Sequence, residues 1–173
     1  DENSVRQMLD HILARRTGLD ALVNTVGGYA GGIKLWEADP NAFERMLALN
    51  LMAGYRLCRA IIPVMLRQGH GAVVNIAAKA AIDHPGGAAG YAASKAAAVA
   101  MLDSLAADLK GTGVRVNSIL PSIIDTEPNR KAMPTADFTR WPKPEEIAPV
   151  ILFLCSNEAK LIHGAAIPVY GNV

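Results

Sequence analysis

Tyr91-Ala92-Ala93-Ser94-Lys95 places a phenol and an ammonium four residues apart, at the start of an alanine-rich run over residues 92–109. On a helix, positions i and i+4 share a face, so both groups can serve one cleft. A free phenol ionises near pH 10 and a lysine near 10.4. At an effective dielectric of about 20, two unit charges 4 Å apart interact by roughly 4 kcal/mol. That sets an upper bound of about three pKa units. The expectation is that Lys95 lowers the Tyr91 pKa and makes the phenol a proton donor or acceptor near neutrality. An isolated Tyr-x-x-x-Lys is ordinarily an exposed pair on a solvated helix, so the surrounding pattern has to carry the weight.

The elements that position this pair alternate between strand and helix. Residues 3–16 have helical spacing, with Val5, Met8, Leu9 and Ile12 as the apolar stripe. Residues 19–23 read as a short buried strand, opening into a glycine-rich loop over residues 24–32. Asp39-Pro40 starts a second helix running through Leu66, because proline is tolerated in the first helical turn. Residues 72–76 form a second strand, and a Gly/Pro loop over residues 84–87 leads to the Tyr91 helix. Gly111-Thr112-Gly113 stops that helix before a third strand, residues 114–120. A polar segment from Pro121 to Trp141 precedes a helix opened by Lys143-Pro144-Glu145-Glu146 and a last strand over residues 165–170. Short continuous apolar strands between helices predict an α/β fold, a doubly wound and mostly parallel sheet. Ligands of such sheets sit beyond the carboxyl ends of the strands. Here that edge carries residues 24–32, 77–90 and 121–141.

Composition narrows the chemistry. The 173 residues suit a single domain or most of one. Formal charge is +1 and no basic run exceeds two residues, which argues against a nucleic-acid or anionic-membrane partner. The apolar stretches are expected to break before the roughly 20 residues of a membrane span. Cys58 and Cys155 lie in expected helices without a C-x-x-C, which fits buried thiols in a reducing, cytoplasmic location. His11, His70, His84 and His163 lack metal-ligand spacing, so no metal is expected, and no nucleophile elbow is present.

Taken jointly, Asn24-x-x-Gly27 after a strand, Asn50 within a helix, Tyr91-x-x-x-Lys95 and Asn117-Ser118-Ile119-Leu120-Pro121 followed by Thr126 resemble the short-chain dehydrogenase/reductase superfamily. The likeness covers nearly the whole chain. The Glu145-Glu146-Ile147 helix start and Ile167-Pro168-Val169-Tyr170-Gly171 are similar to that family's carboxyl end. Within the superfamily, Val26-Gly27-Gly28-Tyr29-Ala30-Gly31-Gly32, Ala78-Lys79-Ala80-Ala81 and residues 125–134 with Ala136-Asp137-Phe138 and Trp141 resemble the dihydropteridine reductase branch.

The resemblance implies a single Rossmann-like domain over residues 1–173, the carboxyl-terminal portion of such an enzyme. It also implies NADH or NADPH as cofactor, and assembly as a homodimer or homotetramer through the Tyr91 helix and the helix before it. Two departures bear on this. The family's amino-terminal glycine fingerprint is absent, so the expectation is a longer protein with about three further strands. Position 78, thirteen residues before Tyr91, is alanine where most of the superfamily has a catalytic serine. The dihydropteridine reductase branch also has alanine there.

Site roles follow from the same resemblance. Tyr91 donates a proton or holds the substrate, and Lys95 tunes Tyr91 and binds the nicotinamide ribose. Asn50 orders a water leading protons to Lys95, or serves structure alone. Asn24 and Gly27 let the backbone approach the adenosine side of the cofactor, or simply turn the chain. Pro121, Ile124 and Thr126 border the nicotinamide, with Thr126 donating to its carboxamide. Ala78 faces the substrate, while Tyr29, Met133 and Trp141 either wall a flat ring or pack in the core. Asp125 is read as no more than a turn cap. The expected activity is hydride transfer to a conjugated acceptor such as a quinonoid dihydropterin. The alternatives are a reductase of an unidentified carbonyl or quinone, and a catalytically weak dinucleotide-binding or scaffold protein.

Overall fold

A computed structural model describes residues 1–172. The elements run α1 (Glu2–Leu13), β1 (Ala21–Asn24), α2 (Pro40–Leu47), a π turn (Ala48–Met52), α3 (Ala53–Gln68) and β2 (Gly71–Ile76). They continue with α4 (Ala80–Asp83), α5 (Ala89–Asp108), β3 (Val114–Pro121), α6 (Glu127–Ala132), α7 (Pro144–Cys155) and β4 (Ala165–Val169). The four strands form one sheet in the order β1-β2-β3-β4, every pair parallel. Strand β1 is an edge, and its Val23 is exposed.

Successive strand residues point to opposite faces, and the core divides accordingly. Leu22, Val73, Val114 and Val116 meet Leu9 of α1, Cys58, Ile61 and Met65 of α3, and Leu102 and Ala106 of α5. The neighbouring Val74 and Ile119 face the other way, onto Ile147 and Leu154 of α7. The sheet is therefore buried on both faces, as its near-continuous apolar strands require. Each strand's carboxyl end opens toward one rim, which places the chemistry-bearing loops together.

Local signals account for most boundaries. The Asp39 side chain accepts from Asn41 N–H beside Pro40 at the start of α2, and Gly69 ends α3 in the left-handed region at φ 75°. Lys143 N–H donates to the Glu146 carboxylate at 2.7 Å, opening α7. Three expectations shift. The stretch Pro40–Gln68 is continuous, and by length and composition it could cross a membrane. Here Cys58, Ile61, Ile62 and Met65 from it pack in the core instead. The polar segment after Pro121 is not open loop: it contains α6 and a 3-10 turn, Phe138–Arg140. A short helix, α4, also stands just before the Gly/Pro loop of residues 84–87, where no element was expected.

Candidate active site

Helix α5 carries Tyr91 in its first turn, with Ser94 and Lys95 one turn on. Lys95 is only 7% exposed, and its ammonium donates to the Ile76 carbonyl at 2.9 Å. A charge from α5 is thereby fixed at the carboxyl end of β2. Burial lowers the Lys95 pKa to about 8. Tyr91 moves the other way: burial raises it first, and the neighbouring Tyr29 phenol adds to the rise. The expected lowering of Tyr91 by Lys95 is thus corrected. Desolvation of the phenol outweighs attraction to an ammonium that is itself buried and turned onto a carbonyl. Tyr91 keeps its proton at neutral pH, which suits an acid rather than a base, and Lys95 is the group that titrates nearer neutrality.

Asn50 lies in the π turn, buried at the level of α5. Its Oδ1 accepts Gly28 N–H at 2.9 Å, and its Nδ2 donates to Gly28 O at 3.0 Å and to Ser94 Oγ at 2.9 Å. Ser94 Oγ in turn donates to the Tyr91 carbonyl at 2.8 Å. The amide is spent on clamping the glycine loop to α5, so its side chain has no donor left over for a relay water. π turns gather at functional sites, and this one adds the residue that aims Asn50 inward.

Gly27 lies on the same cluster. A Cβ there would come 2.9 Å from Asn50 Oδ1 and 3.0 Å from Lys95 Nζ. Those two groups give position 27 a reason for glycine within the protein itself, beside the expected approach of the cofactor's adenosine side. Asn24 is likewise turned inward: its Nδ2 donates to Asn75 Oδ1 at 2.8 Å, and its Oδ1 accepts Val26 N–H at 3.3 Å. Asn24, Asn75 and Ser118 occupy one register row across β1, β2 and β3. Asn75 Nδ2 and Ser118 Oγ of that buried row have no hydrogen-bond partner among the described residues.

Tyr29 stands at 68% exposure, its ring edge-on to Tyr91 with centroids 5.0 Å apart and planes at 77°. Its loop is tied down, because Gly32 N–H and Ile33 N–H both donate to Gly87 O. Ala78, 8% exposed, follows β2, and the next residue's N–H reaches Pro121 O at 2.8 Å. Position 78 therefore presents a methyl beside the end of β3.

The segment after Pro121 holds itself together. Thr126 caps α6, its hydroxyl accepting Asn129 N–H at 3.4 Å, and Asn129 Nδ2 donates to Ile124 O at 2.8 Å. The Ile124 side chain is partly buried and packs on the α7 side of the core. Asp125 does more than cap a turn: Arg130 grips it through Nε at 2.5 Å and Nη2 at 2.7 Å. The same guanidinium lies 5.2 Å over Phe138, whose ring is 5.0 Å from Trp141. Trp141 is buried in this stack. Met133 ends α6 half-buried, its N–H bonded to Asn129 O.

The structure therefore brings Tyr29, Tyr91, Gly27, Asn50 and Lys95 together, sets Ala78 against Pro121, and leaves Trp141 inside its own segment. Ser94 and Gly28 were missed by the sequence reading. The signal for Ser94 was present, since it shares the Tyr91 and Lys95 face at i+3 and i−1. Among the described residues no group of three His, Cys, Asp or Glu could hold a metal ion.

A family model described as Enoyl-(Acyl carrier protein) reductase matches residues 1–171. The 3-oxoacyl-[acyl-carrier-protein] reductase of Thermotoga maritima is 28% identical over 183 residues, covering 100% of this chain and 73% of that protein. The D-threitol dehydrogenase of Mycolicibacterium smegmatis is 35% identical, covering 99% and 69%. The aldohexose dehydrogenase structure from Thermoplasma acidophilum superposes with a TM-score of 0.90 at 28% identity, over 99% of this chain and 74% of that one.

Proposed function

This chain belongs to the short-chain dehydrogenase/reductase superfamily, a family of NAD(P)-dependent dehydrogenases and reductases, and on that premise we propose that it reduces a flat conjugated acceptor such as a quinonoid dihydropterin. The observation that carries the acceptor class is the pairing of a protonated Tyr91 with a methyl at Ala78. A carbonyl of ordinary reactivity draws on every donor aimed at its developing charge, and losing one can cost about 10²–10³ in rate. A conjugated, already electrophilic ring depends less on that second donor.

The donors present fit the nicotinamide–ribose end of a dinucleotide. Lys95 spends one N–H on Ile76 O and keeps two. Thr126 accepts from Asn129 N–H and keeps its own O–H to donate. The Tyr91 hydroxyl has no hydrogen-bond partner among the described residues. When bound, the cofactor supplies the hydride. Tyr91 gives its proton to the atom that gains negative charge, and Lys95 returns a proton toward Tyr91 while binding ribose hydroxyls. Asn50 and Ser94 hold the loop and the helix in register, and Pro121 and Thr126 would border the nicotinamide. One hydride, carrying the electron pair, and one proton enter the acceptor, so the balance closes.

A second reading is favoured by the relatives, whose names include a 3-oxoacyl reductase and a polyol dehydrogenase: reduction of a ketone or oxidation of a secondary alcohol. We further propose one Rossmann-like domain over residues 1–173, a cytoplasmic location consistent with two unpaired thiols, and a homodimer through α2, α3 and α5. Exposed Leu49 and Tyr55 support that pairing surface, and analytical ultracentrifugation at micromolar concentration tests it. The activity test is oxidation of NADH and NADPH by the full-length protein with quinonoid dihydropterin, using wild type and Tyr91→Phe. Pterin turnover that collapses in the variant supports the first reading. Turnover only with ketones or secondary alcohols supports the second. Cofactor binding without any turnover points to a scaffold.

A further inference from the structure

Position 78 offers no hydroxyl, yet a second hydroxyl does stand at the site. Tyr29 meets Tyr91 edge to face at 5.0 Å between ring centroids, on a loop fixed by two hydrogen bonds to Gly87 O. Its Oη is seated rather than loose: it occupies the space where a Cβ on Gly31 would lie, next to the Ala88 methyl. Ala88 caps the amino end of α5, three residues before Tyr91. Tyr29 remains mostly exposed, and its hydroxyl has no hydrogen-bond partner among the described residues. A phenol O–H is both donor and acceptor, so this is an uncommitted donor held beside the reacting phenol.

We propose that Tyr29 is the second hydrogen-bond donor to the substrate, standing in for the hydroxyl that position 78 lacks. This rests on the reductase reading above and names a residue that orients the acceptor for Tyr91. The two phenols also influence each other, because Tyr29 contributes to keeping the proton on Tyr91. The Tyr29 ring supplies an aromatic edge for a planar acceptor, and its hydroxyl fixes the acceptor's rotation in that plane. Glycine at position 31 is part of the device, since any side chain there would expel the hydroxyl.

The test compares wild type, Tyr29→Phe, Ala78→Ser and the double variant in the full-length protein, with quinonoid dihydropterin and a ketone as probes. Tyr29→Phe keeps the ring contact and removes only the hydroxyl. It is expected to lower kcat/KM by about 10²-fold with the ketone and by less with quinonoid dihydropterin, with Ala78→Ser restoring much more of the rate in the Tyr29→Phe background than it adds to wild type. An ultraviolet difference titration gives a readout independent of turnover: Tyr91 should ionise at lower pH in Tyr29→Phe. Wild-type turnover with unchanged kinetics in Tyr29→Phe overturns this inference and leaves the reductase reading intact. A rate loss that Ala78→Ser does not repair also overturns it. No wild-type turnover with either probe sinks the reductase reading, and this inference with it.

Discussion

The Lys95 ammonium is held 2.9 Å from the Ile76 carbonyl, so the cation of α5 is anchored to the sheet and not to the phenol one turn before it. Burial brings its pKa down to about 8. In the proposed reduction, the proton that Tyr91 gives up is replaced through Lys95. The reduction rate should therefore fall as pH rises through about 8, where Lys95 loses its proton. Lys95→Arg keeps its charge at all accessible pH values. A pH–rate profile of that variant should be slower throughout and lack the limb. A limb that persists unchanged assigns it to another group.

The same burial affects stability with a definite sign. The folded-state pKa of Lys95 lies below the ordinary lysine value of 10.5, so between those values the unfolded chain binds more protons, and stability rises with pH. Below the window the buried ammonium costs up to about 3 kcal/mol relative to its neutral form. Cys58, raised to about 11 by burial, acts with the opposite sign above pH 9, so the comparison has to be a difference. Urea unfolding of wild type and Lys95→Met should show the variant's relative advantage shrinking as pH rises from 8 to 10.5. A constant difference across that range contradicts the assignment.

Asn50 offers a test of the clamp between loop and helix. Asn50→Leu keeps the volume but abandons Gly28 N–H, Gly28 O and the Ser94 hydroxyl. Leaving a buried polar group unpaired costs about 1–3 kcal/mol, and the variant should lose about 2–4 kcal/mol in total. Asn50→Asp keeps the acceptor for Gly28 N–H but sets a carboxylate against Gly28 O. Its loss should be comparable at neutral pH and smaller in acid, where the carboxyl regains a donor. Denaturant unfolding at two pH values distinguishes this from a packing effect.

The backbone plan was legible because apolar runs and punctuation agree. Val73, Val74, Val116 and Ile119 sit in runs too continuous for a half-exposed strand, and Asp39-Pro40 and Gly69 mark ends by local chemistry alone. Tyr91, Ser94 and Lys95 share a face by helical arithmetic. What stayed hidden depends on long-range contact. Asn50 has its orientation from a π turn, which no residue periodicity announces. The direction of the Tyr91 shift depends on how deeply the phenol is covered and on Tyr29, sixty-two residues away in sequence. Gly27 was legible as a special position, but the atoms that require it, Asn50 Oδ1 and Lys95 Nζ, arrive from two other elements. The order within residues 121–142 was missed because a polar composition conceals a stack built from one arginine, one phenylalanine and one tryptophan.

That stack leads to the last prediction. Arg130 holds Asp125 by two hydrogen bonds and covers Phe138, which leans on Trp141. The hydrogen bond from Arg130 keeps the Asp125 carboxyl below the usual carboxylate range, with the guanidinium charge and Lys143 assisting. A depressed carboxyl contributes stability above its unfolded pKa of about 3.9 and loses it as pH falls through the folded value. The segment should accordingly stay ordered at neutral pH and loosen only in acid. Arg130→Met retains an apolar stem and removes both bonds. If the segment orients the acceptor, the variant should raise KM for quinonoid dihydropterin by about 10-fold, or about 1.4 kcal/mol, with a smaller change in kcat. Limited proteolysis should then cut between Asp125 and Trp141 at neutral pH, where wild type resists until it is acidified. Cleavage elsewhere, with KM unchanged, separates this stack from substrate binding.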